Sequence, residues 1–293
     1  MIYSAIVSCF DANGNPNPEA TRLAVEHNIV RSGVDGLFIN GSTGENHNMR
    51  TSDKKAIIKT ITETAGDRAA CIAHIGTNVI EEFIELVKFS ADCGCKAVSA
   101  TAPVYFGYTQ DGYVNYFRTL ADNSPLPLYV YNIPARTHVH LTRESFKKIF
   151  DHPNITGIKF TDTDLGLFGD VRKDNPHIDL LSGYDNLLLP YTALGADGSI
   201  GTGYNICARM AREVFDLTRS GDLPAARKRQ NEMNEIMDLL ITPSIIQVVK
   251  AVMELYGVPC GECRFPQPKI SDADRETAKK IYDLIEKYMP AEA

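Results

Sequence analysis

The sequence predicts an α/β fold, a (β/α)8 TIM barrel with a C-terminal helical extension. Three observations carry this. Short apolar or β-branched runs alternate with longer amphipathic stretches, without a linker or low-complexity break. There are about eight such runs at near-even spacing, the number that closes a parallel barrel. Beyond Thr202 the alternation gives way to helical periodicity alone.

The runs lie at residues 3–10, 36–40, 69–75, 97–103, 127–133, 155–160, 178–183 and 198–202. Between them the spacing predicts helices such as 18–32, 52–64, 79–92, 110–122 and 185–194, several opened by the Ser, Asp or Thr residues that accept hydrogen bonds from free first-turn amides. Further helices are predicted at 208–220, 223–240, 243–256 and 271–288, expected to cap the barrel side or to build an oligomer contact. The 293 residues suit one structural unit: a barrel core over 1–205, with the last barrel helix and the extension over 206–293. An open doubly wound sheet fits less well, because no glycine-rich dinucleotide fingerprint follows the first run.

With 44% hydrophobic and 23% charged residues, the chain has enough apolar material for a large core. A net charge of -7 and the lack of any Lys/Arg-rich stretch disfavour nucleic acid, whose phosphates demand basic patches. A small-molecule partner is expected instead. Residues 1–10 carry no basic region ahead of their apolar stretch, and no stretch approaches the about 20 apolar residues of a membrane span. The expectation is a cytoplasmic protein without a membrane partner. Seven cysteines, an odd number mostly in apolar contexts, suit reduced thiols. Cys93 with Cys95 and Cys260 with Cys263 have irregular spacing and no His pair to complete four ligands, so no metal site is expected from them.

Barrel chemistry sits at the C-terminal ends of the strands. The second run ends in Gly41-Ser42-Thr43-Gly44-Glu45, the fifth in Tyr129-Val130-Tyr131-Asn132-Ile133-Pro134, the sixth in Gly157-Ile158-Lys159-Phe160-Thr161 and the seventh in Gly183-Tyr184-Asp185-Asn186. Strand side chains alternate, so Gly157, Lys159 and Thr161 point into the barrel while Ile158 and Phe160 face the helices. A lysine there is costly if charged and unpaired, and the same desolvation favours the neutral amine that attacks carbonyls; the alternative is an interior carboxylate pair. Tyr131 shares the inward parity of Tyr129 and Ile133, and serves either as an acid/base partner of Lys159 or as a packed core tyrosine. The Gly41 to Gly44 turn offers amides and two hydroxyls to a carboxylate, or merely caps the next helix. Asp162 and Asp164 read as a divalent-metal pair or as the cap of a helix at Leu165. Residues 198–203 lie where many barrels bind phosphate, although Thr202 would also suit a polyol. His47, His74, His138 and His140 are scattered and read as surface or core histidines.

Taken together, Gly41-Ser42-Thr43-Gly44-Glu45, Tyr131-Asn132-Ile133-Pro134 and Gly157-Ile158-Lys159 resemble the N-acetylneuraminate lyase and dihydrodipicolinate synthase superfamily in order and spacing, from Ile2 to the last helix. That resemblance implies a Schiff-base lysine at Lys159, a proton-shuttling tyrosine at Tyr131, a pyruvate carboxylate held by Ser42 and Thr43, and Tyr105 completing the proton relay. It implies no metal or organic cofactor beyond the lysine, and a homo-oligomer, a tetramer. Gly183-Tyr184-Asp185, the 195–205 stretch and Phe160-Thr161-Asp162-Thr163-Asp164 look like the sialic acid lyase branch. By that likeness Thr161, Gly183, Asp185 and Thr202 meet the hydroxyls of an open-chain sugar acid, cleaved by a carbon-carbon lyase to pyruvate and N-acetylmannosamine, with Asn186 beside them a further candidate for binding the substrate. Two positions depart from the branch. Asn186 stands where it usually has Glu, and Arg136, in Tyr-Asn-Ile-Pro-Ala-Arg-Thr, resembles the synthases, whose arginine binds the carboxylate of aspartate semialdehyde. The alternatives are that synthase reaction, cleavage of another 2-keto-3-deoxy sugar acid, or a keto-acid-binding sensor or scaffold without turnover.

Overall fold

The computed structural model describes residues 1–290. Eight parallel strands close into a barrel in sequence order: β1 Ile2–Ala5, β2 Gly36–Ile39, β3 Ala70–His74, β4 Ala97–Thr101, β5 Leu128–Asn132, β6 Ile155–Phe160, β7 Asp179–Ser182 and β8 Gly198–Gly201, with β8 pairing back onto β1. Helices α1 Pro18–Glu26, α2 Thr51–Ala65, α3 Ile80–Asp92, α4 Gln110–Asp122, α5 Pro134–Thr137, α6 Arg143–Phe150, α7 Leu165–Asp174, α8 Leu188–Ala193 and α9 Tyr204–Ser220 connect or follow the strands. The chain then adds α10 Leu223–Leu240, α11 Ile245–Leu255 and α12 Asp272–Tyr288. This is the expected fold. No single described helix is long and apolar enough to cross a membrane.

Local sequence accounts for the helix ends. Asn17 accepts from the Ala20 amide ahead of Pro18, whose fixed φ suits the first helical position. Ser271 and Asp274 form a reciprocal capping box on α12. Three boundaries differ from the sequence expectation. β1 stops at Ala5 because the next residues find other partners: the Val7 amide donates to Asn205 Oδ1 and the Phe10 amide to the Cys260 carbonyl. The 185–194 segment is a tight turn over Asp185–Leu187 followed by α8. The α9 helix begins at Tyr204, inside the segment expected to belong to the barrel core, and breaks its helical geometry at Cys207.

Alternation sorts each strand into an outward face against the helices and an inward face that fills the barrel. Tyr3, Phe38, Ile72, Ala97, Tyr129, Tyr131, Leu181 and Ile200 form one cluster inside the barrel, while Leu37, Val98, Val130 and Ile158 join the larger core beneath the helices. The inner space is tight. The Tyr129 ring lies across Gly157, where an added Cβ would fall 2.3 Å from a ring carbon, and the Tyr129 hydroxyl donates to Asp179 on β7. A methyl at Gly157 must therefore displace that ring. Gly157→Ala is expected to cost about 1–3 kcal/mol of stability, the usual penalty of overpacking, read from urea denaturation midpoints. An unchanged midpoint would show that the interior yields freely.

Candidate active site

The register of β5 against β6 sets Tyr131 directly beside Lys159, both on the inward face at the C-terminal end of the barrel. Lys159 is 4% exposed, its Nζ 4.3 Å from the centre of the Tyr131 ring and 4.5 Å from that of Phe38. Among the described residues no carboxylate lies within ion-pair distance of it, in contrast to the fully enclosed Lys250, which has Glu45 Oε1 at 2.8 Å. An interior carboxylate pair for Lys159, the alternative weighed above, is thus absent among the described residues. Tyr131 is buried at the same mouth, its hydroxyl 3.5 Å from Ser42 Oγ.

Ser42 and Thr43 sit on a loop whose shape is imposed from outside. Asn40 and Glu45, at its two ends, have φ of 56° and 60°, a left-handed conformation that non-glycine residues adopt only when their surroundings demand it. The surroundings are specific. Glu45 takes the Lys250 ammonium of α11 on one oxygen and the Arg264 amide, at 2.7 Å, on the other, while the Ser8 hydroxyl donates to the Gly44 carbonyl at 2.7 Å. Thr43 Oγ1 lies 2.7 Å from Thr202 Oγ1, which ties the loop to the end of β8.

The opposite wall carries Thr161, Gly183, Asp185 and Asn186. The Thr161 hydroxyl occupies the space over Gly183, where an added Cβ would fall 1.8 Å from it, so glycine is required there. Neither Thr161 Oγ1 nor Asn186 Oδ1, both buried, has a hydrogen-bond partner among the described residues. Asp185 accepts the Gly203 amide at 2.7 Å on Oδ2. Burial pushes its carboxyl up from 3.8 to about 6, against the opposing pull of the Gly203 amide. The Gly203 amide is directed at Asp185 and the Thr202 hydroxyl at Thr43, so at these two positions the 198–203 segment makes contacts within the chain.

These groups line one cavity of about 390 Å³, with Arg136 of α5 at its rim. Arg136 is exposed and forms no ion pair with a described residue. The remaining wall comes from Met237, Ile241, Thr242, Ile245 and Ile246, so the α10 to α11 connection lies over the mouth as well as against the barrel side. Gln230 of α10 reinforces this by donating to the Asp185 carbonyl at 3.2 Å. Nothing in the helical periodicity of α10 and α11 signals this role. Tyr105 does not join the site within the chain: it is 91% exposed on the loop after β4, packed edge-on against Phe106. Asp164 caps α7 by accepting from the Leu167 amide, and Asp162 accepts the amides of Thr163 and Asp164, so the helix-cap reading of this pair holds. All seven cysteines are free thiols. Of the histidines, His74 is fully buried inside the barrel, His47 lies beside a second cavity, and His138 and His140 are exposed.

A parallel (β/α)8 barrel with an interior lysine that has no ion-pair partner among the described residues, a neighbouring tyrosine and a hydroxyl-bearing loop at one mouth is thus the class of protein in view. Residues 1–285 match the model of the dihydrodipicolinate synthetase family, and the chain belongs to that family. It is 34% identical over 280 residues to an N-acetylneuraminate lyase of Clostridium perfringens, covering 96% of this chain and 97% of the relative. The solved structure of CdNal from Clostridium difficile in complex with mannosamine superposes with a TM-score of 0.93 at 34% identity, covering 96% of this chain and 97% of that one. The N-acetylneuraminate lyase of Fusobacterium nucleatum complexed with pyruvate gives 0.91 at 33% identity over 99% and 97% of the two chains.

Two stability measurements probe the electrostatics. Lys250→Met leaves the Glu45 carboxylate buried without its cation and is expected to cost about 3–5 kcal/mol, with a smaller loss in the Glu45→Gln/Lys250→Met double variant; equal losses in the two would deny the pairing. For Asp185 the folded value lies above the unfolded one, so the unfolded chain releases its proton first as pH rises and wild-type stability falls between about 4 and about 6. The stability of Asp185→Asn relative to wild type should therefore grow across that window by up to about 3 kcal/mol in denaturation curves. A difference independent of pH would contradict the assignment.

Proposed function

We propose that the protein is a class I aldolase that cleaves N-acetylneuraminate reversibly to pyruvate and N-acetylmannosamine through a Schiff base on Lys159. The observation that carries the reading is the interior amine of Lys159, without a carboxylate partner among the described residues and in register with Tyr131, in a chain about a third identical to N-acetylneuraminate lyases over nearly its whole length. In its unprotonated form the Lys159 amine attacks the C2 ketone of the open-chain sugar acid, and the carbinolamine hydroxyl leaves as water with the proton of the Tyr131 phenol, giving a protonated imine and a phenolate. The Tyr131 phenolate takes the C4 hydroxyl proton as the C3–C4 bond breaks, and that bond's electron pair flows into the imine to leave an enamine and the aldehyde. Protonation at C3 and hydrolysis then release pyruvate and restore the amine. The lysine is itself the electron sink, so the scheme calls on no metal or organic cofactor.

The loop of Ser42 and Thr43 orients the pyruvate carboxylate, which holds the imine in line for cleavage, and Ser42 extends the proton relay from Tyr131. Thr161, Gly183, Asp185, Asn186 and Thr202 face the sugar hydroxyls; the orphaned oxygens of Thr161 and Asn186 support this, since buried polar atoms without partners are costly unless a ligand meets them. Tyr105 belongs to the relay only if another copy of the chain presents it, and its exposure on a loop bearing Phe106 supports the homotetramer that the family resemblance implies. Residues 1–205 and 206–293 work as one structural unit, supported by the Glu45–Lys250 tie, and the site of action is the cytoplasm.

One observation favours a second reading. The guanidinium of Arg136, at the cavity rim and without an ion-pair partner among the described residues, suits a carboxylate on the incoming aldehyde, as in condensation of pyruvate with aspartate semialdehyde. A coupled assay with each substrate pair separates the two, and turnover with aspartate semialdehyde alone would overturn our choice. Borohydride reduction in the presence of pyruvate should add covalent mass at Lys159, and Lys159→Met should gain none and lose cleavage; an absence of adduct in the wild type would point to a sensor or scaffold. Tyr131→Phe is expected to keep the adduct while kcat falls by about 100-fold to 10,000-fold, the range of a lost proton transfer. Full-speed cleavage by that variant would remove Tyr131 from the mechanism.

A further inference from the structure

His74 on β3 is a buried polar residue to which the scheme above gives no role. It is 1% exposed and points into the barrel, where its register neighbour on β4 is Ser99. Neither His74 Nδ1 nor Ser99 Oγ has a hydrogen-bond partner among the described residues. A histidine in that condition weakens a core that an apolar side chain of similar size would strengthen, so its presence calls for a reason other than stability. The surroundings supply one. The imidazole meets the Tyr131 ring edge-on, with centres 5.5 Å apart and planes at 87°, and lies 5.9 Å from the Phe38 ring, which itself meets Tyr131 edge-on at 5.7 Å. Lys159 Nζ rests over the Phe38 and Tyr131 rings of this cluster.

The phenol has little else to hold it. Its hydroxyl has one hydrogen-bond partner among the described residues, Ser42 at 3.5 Å, the outer limit of such a bond. Ring contacts therefore set its tilt. We propose that His74 is a positioning residue for the reaction: its flat imidazole, wedged with Phe38 against Tyr131, fixes where the phenolic hydroxyl stands relative to Lys159. This rests on the aldolase reading above. The space favours a compact ring, because a Cβ added at Gly76 would fall 3.1 Å from His74 Cε1 and 3.0 Å from the Thr101 amide nitrogen, which shows how closely the backbone closes over the imidazole. Burial holds the imidazole well below the usual histidine range, so it works as a neutral ring and not as an acid.

The test is His74→Leu in the full-length protein, which removes the flat ring and the orphaned nitrogen together. A displacement of about 1 Å at a catalytic group costs on the order of 100-fold in rate, so kcat for cleavage should fall by about tenfold or more. KM should stay within about threefold, the borohydride-trapped pyruvate adduct should persist, and the melting temperature should hold or rise. A merely structural histidine would instead lower the melting temperature while leaving kcat per trapped site unchanged, and that result would overturn the proposal. So would a change in the shape of the pH profile of kcat/KM, which would make His74 a titrating group. If the leucine variant does not fold, His74→Asn, smaller and polar, is read by the same measurements. The failure of the aldolase reading is distinct: it shows as no adduct in the wild type and removes both, whereas an adduct with unchanged turnover in the variant removes His74 alone.

Discussion

Everything at the mouth of the barrel depends on one register, the pairing of Tyr131 on β5 with Lys159 on β6. Parallel strands advance their side chains with a period of two, so a slip by one residue would turn Lys159 outward among the helices and bring Ile158 or Phe160 inside. The register is guarded from below. Tyr129 can occupy the interior because Gly157 lies opposite it, and its hydroxyl is held by Asp179 of the following strand. The layer of Tyr129 and Gly157 deeper in the barrel thereby fixes the layer of Tyr131 and Lys159 above it, which is the division of labour this architecture permits.

A second constraint joins the C-terminal helices to the chemistry. The loop carrying Ser42 and Thr43 is bounded by two left-handed residues, a shape it keeps because the Glu45 carboxylate is enclosed with the Lys250 ammonium and the Arg264 amide. A buried pair of this kind adds little net stability over an apolar substitute, but breaking one half is costly, so it specifies one arrangement against others. The extension also walls the cavity through Ile241, Thr242, Ile245 and Ile246. It acts on the site as much as on the fold.

Much of this was legible in the sequence, for reasons that can be named. The strand and helix periods differ, so eight alternations announce the barrel, and inward parity alone puts Lys159, Thr161 and Tyr131 on the interior. Strand ends then gather Ser42, Thr43, Gly183, Asp185, Asn186 and Thr202 at one mouth, because a closed barrel brings all its C-terminal ends together. Other features depend on long-range contacts that local patterns do not encode. The early end of β1 follows from Asn205 and Cys260, far along the chain. The ties of Glu45 to Lys250 and of Thr43 to Thr202 have no local signal for the same reason. Tyr105 illustrates a different limit, since likeness to a family marks a residue without saying on which surface of the single chain it lies.

The most direct measurement is a crystal structure of the protein soaked with pyruvate. The account predicts continuous density from Lys159 Nζ to C2 of the ligand, with the carboxylate seated on the Ser42 and Thr43 loop and the Tyr131 hydroxyl facing the enamine carbon. Pyruvate bound in the cavity with a clear gap to Nζ, or joined to any other side chain, would contradict it.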